Sequence, residues 1–445
     1  MHPKLPVNRL AFLLAAVFTV APAFSADLMQ VYREALVNDA QYAAARAAAE
    51  AGREKEAQGL AGLLPTIGAT ANTTWNDNKY SVDHSAKVPA TYNSNAYSVN
   101  LTQPLFRWQN IVQYGQSKLQ VVQSEAVFAQ ASQDLILRVA QAYFDVLNAQ
   151  ENLKAVRANK QAIAQQLEQA KKNFEVGTAT ITDSQEAQSR FDLAVAQEIA
   201  GENDLEVKRF ALRVVIGKDA GELNRLKPQA VLNPPQPAAM DKWVDAAQSA
   251  SFTVQAQQAA AAVAEKEVER VRAGHYPTLD AVGNYGRARS MAGITAGTLV
   301  QSDLSNVGLQ VNIPIFQGGA VNSRTREAIA NRQAADAGLE SAKRTAALNA
   351  QQSYLGVVNG LAQVRALEAA LVSSVSALES NKLGYEVGVR INIDVLNAEN
   401  QVYVTRRDLA RSRFDTLLSL LKLKAAIGSL SEADLEQINP LFEAP

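Results

Sequence analysis

The 445-residue chain contains no cysteine. Disulfides and cysteine acylation are therefore excluded. Histidine is almost as scarce, with only His2, His84 and His275. There is no glycine-rich phosphate loop and no nucleophile elbow, so metal and triad chemistry lack their raw material and the chain reads as a non-enzyme. Charge of one sign is missing too. A net charge of −1 and a pI near 6.4 remove the basic field that non-specific nucleic-acid binding needs, so no nucleic-acid partner is expected. Aromatics are only 6% of a chain that is 47% hydrophobic. The apolar content is largely Ala, Val and Leu, which suits closely packed helices, alanine being the best helix former.

Long hydrophobic runs are also lacking after the first residues. The opening MHPKLPVNRLAFLLAAVFTVAPAFSAD places Lys4 and Arg9 before an apolar run from Leu10 to Val20 and then small residues. That order reads as a secretory signal over residues 1–25, cleaved after Ser25, with Ala26 as the near alternative. The run falls short of the ~20 residues a membrane span needs. No later stretch is expected to span as a helix either, so any membrane contact of the mature chain should be non-helical.

Proline is present but unevenly distributed. None occurs between Leu105 and Lys227 or between Ile315 and Asn439, and shorter clean runs cover Ala23 to Leu64 and Ala238 to Tyr276. These four runs are where long helices are possible. In the first long run, Leu135, Val139, Ala142, Val146, Ala149, Leu153 and Val156 form a heptad seam. Ile136, Ala140, Tyr143 and Leu147 widen it, as expected of a helix with more than one partner.

The chain also repeats itself. FEVGTATITD (174–183) matches YEVGVRINID (385–394), with Gly177 and Gly388 separated by 211 positions (388 − 177). At the same offset QAYFDVLN answers QSYLGVVN, Ile216-Gly217 answers Ile427-Gly428, and Tyr32 answers Trp243. Two repeats are expected, 26–237 and 238–445, each reading helix, strand pair, long helix, tip turn, helix.

The strand pairs are expected at 66–76 with 96–103 and at 278–286 with 305–313. Val307, Leu309, Val311 and Ile313 alternate with Asn306, Gly308, Gln310 and Asn312. One apolar and one hydrated face fit a water-filled transmembrane barrel, though an antiparallel sheet over a soluble core alternates in the same way. Trp75, Tyr80, Tyr92, Phe106, Trp108 and Phe316 favour the barrel, being placed for interfacial girdles at the strand ends. A helix from Arg107 to Asn173 would be ~100 Å long at 1.5 Å per residue. Its return needs two pieces, 183–217 and 240–273, so the chain termini should lie at mid-height. The two EVG segments then become the far turns of two helical hairpins. Glycine supplies the turn, and Asp183 and Asp394 fall where N-caps belong, with a pore-lining role as the alternative.

Taken together, LMQVYREAL, LLPTIG, AYFDVLNA, NFEVGTATITD, GHYPTLD, IPIFQGGAVNS, GYEVGVRINIDVLNAEN and AAIGSLSEADL resemble the TolC family of outer-membrane efflux and type I secretion channels over essentially the whole mature chain. The resemblance implies a homotrimer in outer-membrane lipid, each protomer giving four strands to a 12-stranded barrel continued by a periplasmic α-helical coiled-coil tunnel. It implies passive conduction, with energy from an inner-membrane pump of RND, ABC or MFS type and a periplasmic adaptor docking at the tunnel tips. Val176, Gly177, Thr178, Val387, Gly388 and Val389 would meet the adaptor. Thr182, Asp183, Tyr385 and Arg390 would link the closed gate, and Asp394 would supply an acidic ring. Where the family's best-known member has a second Asp three residues on, this chain has Asn397, halving the ring's charge. No cofactor is implied. The rival class is a structural periplasmic or surface trimeric coiled coil without transport, which explains the heptads but not the paired strands. Drug efflux and protein secretion are not separable here, since specificity belongs largely to the pump.

Overall fold

A computed structural model describes residues 26–81, 87–291 and 298–444, and the expected signal at 1–25 lies outside them. The first repeat comprises α1 (Leu28–Asn38), α2 (Ala40–Ala61), β1 (Thr66–Tyr80), β2 (Val88–Phe106), α3 (Trp108–Glu175) and α4 (Ile181–Ile216). A short strand β3 (Arg225–Leu226) lies in the linker. The second repeat has α5 (Met240–Ala250), α6 (Phe252–Arg272), β4 (Thr278–Met291), β5 (Leu299–Asn312), α7 (Ala320–Glu386) and α8 (Asn392–Ala426). The chain closes with α9 (Glu432–Ile438) and β6 (Phe442–Glu443).

The four long strands form one antiparallel sheet in the order β1-β2-β4-β5. Its register sorts the side chains into two faces. One face carries rows such as Ile67, Leu101, Gly283, Val307 and Ala69, Val99, Tyr285, Ser305. The other carries Gly68, Asn100, Asn284, Asn306. On β2 the even-numbered residues from 92 to 98 are half-buried while their odd neighbours are exposed, so the polar face is the concave one. That face is stitched by polar pairs: Thr70 and Ser98 hydroxyls at 2.9 Å, Asn76 Nδ2 donating to Ser94 Oγ at 2.9 Å, and Asn284 donating to Asn100. β1 and β5 leave the sheet with two open edges, which lipid does not tolerate. Closure needs further strands from other copies.

The strands outrun the expected pairs, continuing to Tyr80 on β1 and beginning at Val88 on β2. The apolar alternation that marks a strand in sequence fades there, but the backbone ladder continues. Three aromatics are also placed differently from expectation. Tyr80 and Tyr92 lie on the polar face with their hydroxyls 3.1 Å apart, and Trp75 sits five residues inside the end of β1. The apolar face carries Tyr97 and Tyr285 instead. A bulge between Pro104 and Phe106 turns Phe106 onto that face, opposite Leu279.

At the foot of the sheet Arg107 clamps buried Asp280, Nε to Oδ1 at 2.7 Å and Nη2 to Oδ2 at 2.6 Å. This joins the β2–α3 corner to the second repeat. The 68-residue α3 then runs ~100 Å. It packs against α2 and α6 near the sheet and against α4 and α8 below.

The main core lies at mid-height. Every residue of the expected seam is buried except half-buried Ala142, and Ile136, Ala140, Tyr143 and Leu147 are buried beside them. Phe144 stacks on Phe414 at 5.8 Å and on Phe442 at 5.9 Å. The Tyr143 hydroxyl donates to the carbonyl of Asn224 at 3.0 Å, and burial holds its phenol far above the usual titration range. The first and last described segments are tied into this collar: β3 pairs with β6, and Ala26 N–H donates to Glu222 O at 2.7 Å.

Two expectations need correction. Residues 240–273 are not one helix, because extended Ser251 separates α5 from α6, just as Asp39 separates α1 from α2. Asp39 accepts from Tyr42 N–H at 2.6 Å and from Arg138 Nη2 at 2.8 Å. A single-residue break leaves apolar periodicity almost untouched, so the sequence pattern does not reveal it. Second, α7 does contain an apolar 18-residue window of mean hydropathy 1.3. This follows from its Ala and Val content and belongs to a 67-residue coiled-coil helix far longer than a bilayer is thick.

Candidate functional site

The tip turns are built alike. In the first, Val176 ends α3, Gly177 takes φ +79°, and the N–H groups of Thr178 and Ala179 both donate to Asn173 O at 2.8 and 3.2 Å. In the second, Val387 ends α7, Gly388 takes φ +76°, and the N–H groups of Val389 and Arg390 donate to Gly384 O at 2.8 and 3.0 Å. Nothing lies within 4 Å of where a Cβ would stand on either turn glycine, so the backbone conformation, not crowding, demands glycine. Thr178 Oγ1 adds a bond to Asn173 O at 3.1 Å. Val176, Val387 and Val389 point into solvent at 73%, 66% and 78% exposure, and Ile391 adds to them. The far end of the molecule is thus apolar and uncovered within the protomer.

Asp183 and Asp394 are not N-caps. Thr180 caps α4, and Asp183 is the third helical residue. The Thr180 hydroxyl accepts from Asp183 N–H at 3.2 Å, and Asp183 Oδ2 accepts from Thr180 N–H at 3.0 Å. This is a capping box, which places the acidic residue three positions after the cap. Asp394 stands at the same position of α8, where Ile391 occupies the cap and has no side-chain acceptor. Its carboxylate lies 3.6 Å from Arg390 Nη1 one turn away, in the same hairpin. Thr182 is exposed and its hydroxyl makes no hydrogen bond among the described residues. Within the protomer, therefore, Arg390 does not reach Thr182 or Asp183.

Other groups join the hairpins. Asn173 Nδ2 donates to the Tyr385 hydroxyl at 3.1 Å, Arg190 Nη2 donates to Asn397 Oδ1 at 3.2 Å, and higher up the Tyr403 hydroxyl donates to Asn152 Oδ1 at 3.3 Å. Asn152 and Asn173 belong to a stripe that continues through Asn159 and Gln166, one amide every seventh residue on one face of α3. The two ends of the stripe bond the second hairpin. In its middle, Asn159 Oδ1 and Gln166 Oε1 are buried without a hydrogen-bond partner, as are Asn392 Oδ1 and Glu399 Oε2 on α8. Lys382 holds the other oxygen of buried Glu399 at 3.0 Å. The seam inside the first hairpin is more apolar, since Ile163, Leu167 and Ala170 pack there on Ala187, Phe191 and Ala194, with Leu396 of α8 joining from the second hairpin. Near the tip the first hairpin is closed by apolar side chains, with the Arg157, Lys160, Glu198 and Glu202 ion pairs higher up, whereas the hydrogen bonds between hairpins run through amides and a tyrosine hydroxyl, and two amides of the stripe are under-satisfied. The amide spacing was visible in the sequence, but a search for apolar heptads passes over it.

An open four-stranded sheet, two hairpins of ~100 Å helices and an internal repeat together point to one family. The family described as outer membrane efflux protein matches this chain twice, at residues 31–218 and 243–429. The chain belongs to the outer membrane efflux protein family. It is similar to outer membrane protein TolC of Vibrio cholerae, 33% identical over 432 residues that cover 96% of this chain and 97% of that protein. Alkaline protease secretion protein AprF of Pseudomonas aeruginosa is 31% identical over 425 residues, covering 94% and 88%. Among solved structures, the Campylobacter jejuni CmeC outer membrane channel superposes with a TM-score of 0.79 at 17% identity, covering 99% of this chain and 97% of that one. The efflux-protein fold is a trimeric barrel and tunnel, which accounts for the open sheet edges. This member lies in the outer membrane with its tunnel in the periplasm, as a passive exit duct and not an enzyme. It works within an efflux or secretion system alongside a transporter.

Proposed function

We propose that the tunnel tip is the gate of this duct, and that it opens by parting the first hairpin from the second along the amide seam. The carrying observation is the contrast between the two seams. In the α3 amide stripe, whose two ends bond the second hairpin, the buried oxygens of Asn159 and Gln166 lack partners, and each such group costs about 1–3 kcal/mol that water or a rearrangement would recover. Asn173–Tyr385 and Arg190–Asn397 then act as latches across the closed seam. Thr182, Asp183 and Arg390 remain candidates for links to a neighbouring protomer, where the tips converge. Asp394 and Asn397 sit one turn apart on α8 and would line the constriction, giving a modest cation preference from one carboxylate per protomer.

The exposed valines and turn glycines at the tips, Val176, Gly177, Thr178, Val387, Gly388 and Val389, form the surface that a periplasmic adaptor would cover. An inner-membrane pump supplies energy and selects cargo. The names of the relatives above include protease secretion, and the duct itself imposes no comparable chemistry. The test of the gate is single-channel conductance in planar bilayers of the Tyr385→Phe, Arg390→Ala double variant. Raised conductance is expected, and lowered thermal stability at unchanged conductance would reduce these residues to packing. For the tips, Val176→Glu with Val389→Glu keeps both turn glycines and should abolish adaptor cross-linking while trimers still assemble. Undiminished cross-linking would remove the tips from the interface.

A further inference from the structure

The convex face of the sheet changes character along its height. From Val311 and Leu279 at the tunnel end it is mostly apolar, through Ala281 and Leu309 beside Gln103, then Ile67, Leu101, Gly283 and Val307, then Ala69, Val99 and Tyr285 beside Ser305. Tyr97 stands one row further. The row of Tyr97 contains Arg287 and Asp303, and the row beyond contains Asn95, Arg289 and Gln301. At ~3.3 Å per residue and a tilt of about 40°, the ten residues from Ile313 to Asp303 rise roughly 25 Å, the height of the apolar band of an outer-membrane barrel. Two arginines therefore stand on the lipid-facing surface where the hydrocarbon of the outer leaflet gives way to headgroups.

Arg287 is paired with Asp303 through Nε and Nη2, which leaves Nη1 outside the pair. Arg289 is exposed and has no hydrogen-bond or ion-pair partner among the described residues. Directly below them the face is indented. Gly283 has no side chain, and Val99, Leu101, Tyr285 and Val307 surround the gap it leaves. A Cβ on Gly283 would meet Leu101 at 3.7 Å, an ordinary contact, so the glycine leaves space but is not required by crowding. The strands involved are β2, β4 and β5, so the site lies within one protomer.

We propose that this surface holds one phosphate-bearing lipid of the outer leaflet, an acyl chain lying in the slot over Gly283 and the phosphate meeting Arg289 and the free edge of Arg287. The charge complementarity is specific in position. The arginines lie four and six residues above the slot, about 13 and 20 Å along the strand, where the headgroup of a lipid seated in the slot would stand. A planar guanidinium fork suits phosphate better than a point charge does. Tyr285 at the upper wall of the slot and Tyr97 in the row of Arg287 match the interfacial position at which chain and headgroup join. The inference rests on the barrel crossing the outer membrane with its hairpin ends outward, and is independent of the gate.

The test is native mass spectrometry of the detergent-solubilised trimer titrated with the phosphorylated glycolipid anchor of lipopolysaccharide. The same glycolipid with its phosphates removed and inorganic phosphate as a competitor provide the controls. The wild-type trimer is expected to bind the phosphorylated lipid at least tenfold tighter than the dephosphorylated one. Arg287→Gln with Arg289→Gln should weaken it on the order of tenfold to thirtyfold. Gly283→Leu should weaken both forms by filling the slot. Arg289→Gln alone removes a side chain without a partner among the described residues, so it tests the idea even where the double variant fails to assemble, and Arg289→Lys should restore much of the binding. Equal affinity for both lipid forms, or arginine variants that bind as well as wild type, would overturn the proposal. Displacement by millimolar inorganic phosphate would overturn it in favour of a free-anion site.

Discussion

The same helix, α3, behaves in two ways. Around residues 135–153 it is the spine of a collar in which Tyr143 and Phe144 are buried and the C-terminal Phe442 is wedged against both rings. Some twenty residues further on it presents Asn159, Gln166 and Asn173 to the second hairpin, and two of those amides have an unpartnered oxygen. The helix is continuous through both regions, so the difference lies in what covers it. The collar gathers α1, α3, α4, α8, α9 and the segments at Ala26 and Phe442 around one apolar cluster. The tip half has only small clusters, each of a few residues. A tunnel that must stay in one place and yet open at one end needs both arrangements on one rod.

That comparison can be broken most forcefully at the collar. Phe144→Ala removes a ring that stacks on two others and should cost about 3–5 kcal/mol, read as a lower unfolding midpoint and poor trimer yield. Channels that do assemble should conduct normally, since the gate is elsewhere. Filling the tip seam should act in the opposite direction. Asn159→Leu with Gln166→Leu removes two unpartnered amide oxygens and should stabilise the closed form by about 1–3 kcal/mol per group, with fewer channel openings in bilayers. Unchanged opening would show that the hairpins do not part there.

Smaller effects sharpen the picture at single latches. Tyr385→Phe deletes one hydrogen bond from Asn173 and should shift the closed state by about 0.5–1.5 kcal/mol, visible as a modest rise in open probability. Asp394→Ala breaks an exposed pair with Arg390 worth only about 0.3–0.5 kcal/mol, so stability should barely change. Its reversal potential in a salt gradient should nonetheless move toward non-selectivity, and Asn397→Asp should move it the other way and strengthen block by multivalent cations. Should Asp394→Ala leave the reversal potential untouched, the constriction lies at another level of the tunnel.

Much of this was readable before any coordinates. The proline-free runs set the long helices because proline cannot be tolerated inside them, and the 211-residue offset fixed the repeat and its two turn glycines. Alternation identified the strands and which face is apolar. What it missed were the polar continuations toward the hairpin ends, where the ladder is held by backbone bonds that leave no hydrophobic signature. Tyr80 and Tyr92 fall on the polar face by the same period of two, being even-numbered where Ile67, Ala69, Val99 and Leu101 are odd, and only their hydroxyl contact across the strands depended on register.

The sequence by itself determined the repeating hairpin, the strand faces and the position of the tips, because these follow from local conformational preference and from period. Only the tertiary structure decided which groups meet. Asp183 turned out to close a capping box with Thr180, Arg390 to pair with Asp394 inside its own hairpin, and Tyr385 to reach Asn173 across the seam. Each of these partnerships depends on the last turn of a helix or on how two 100 Å rods are rotated against each other, about 100° per residue of slip. Composition and spacing constrain that rotation weakly, and packing at the collar, far from the tip, sets it.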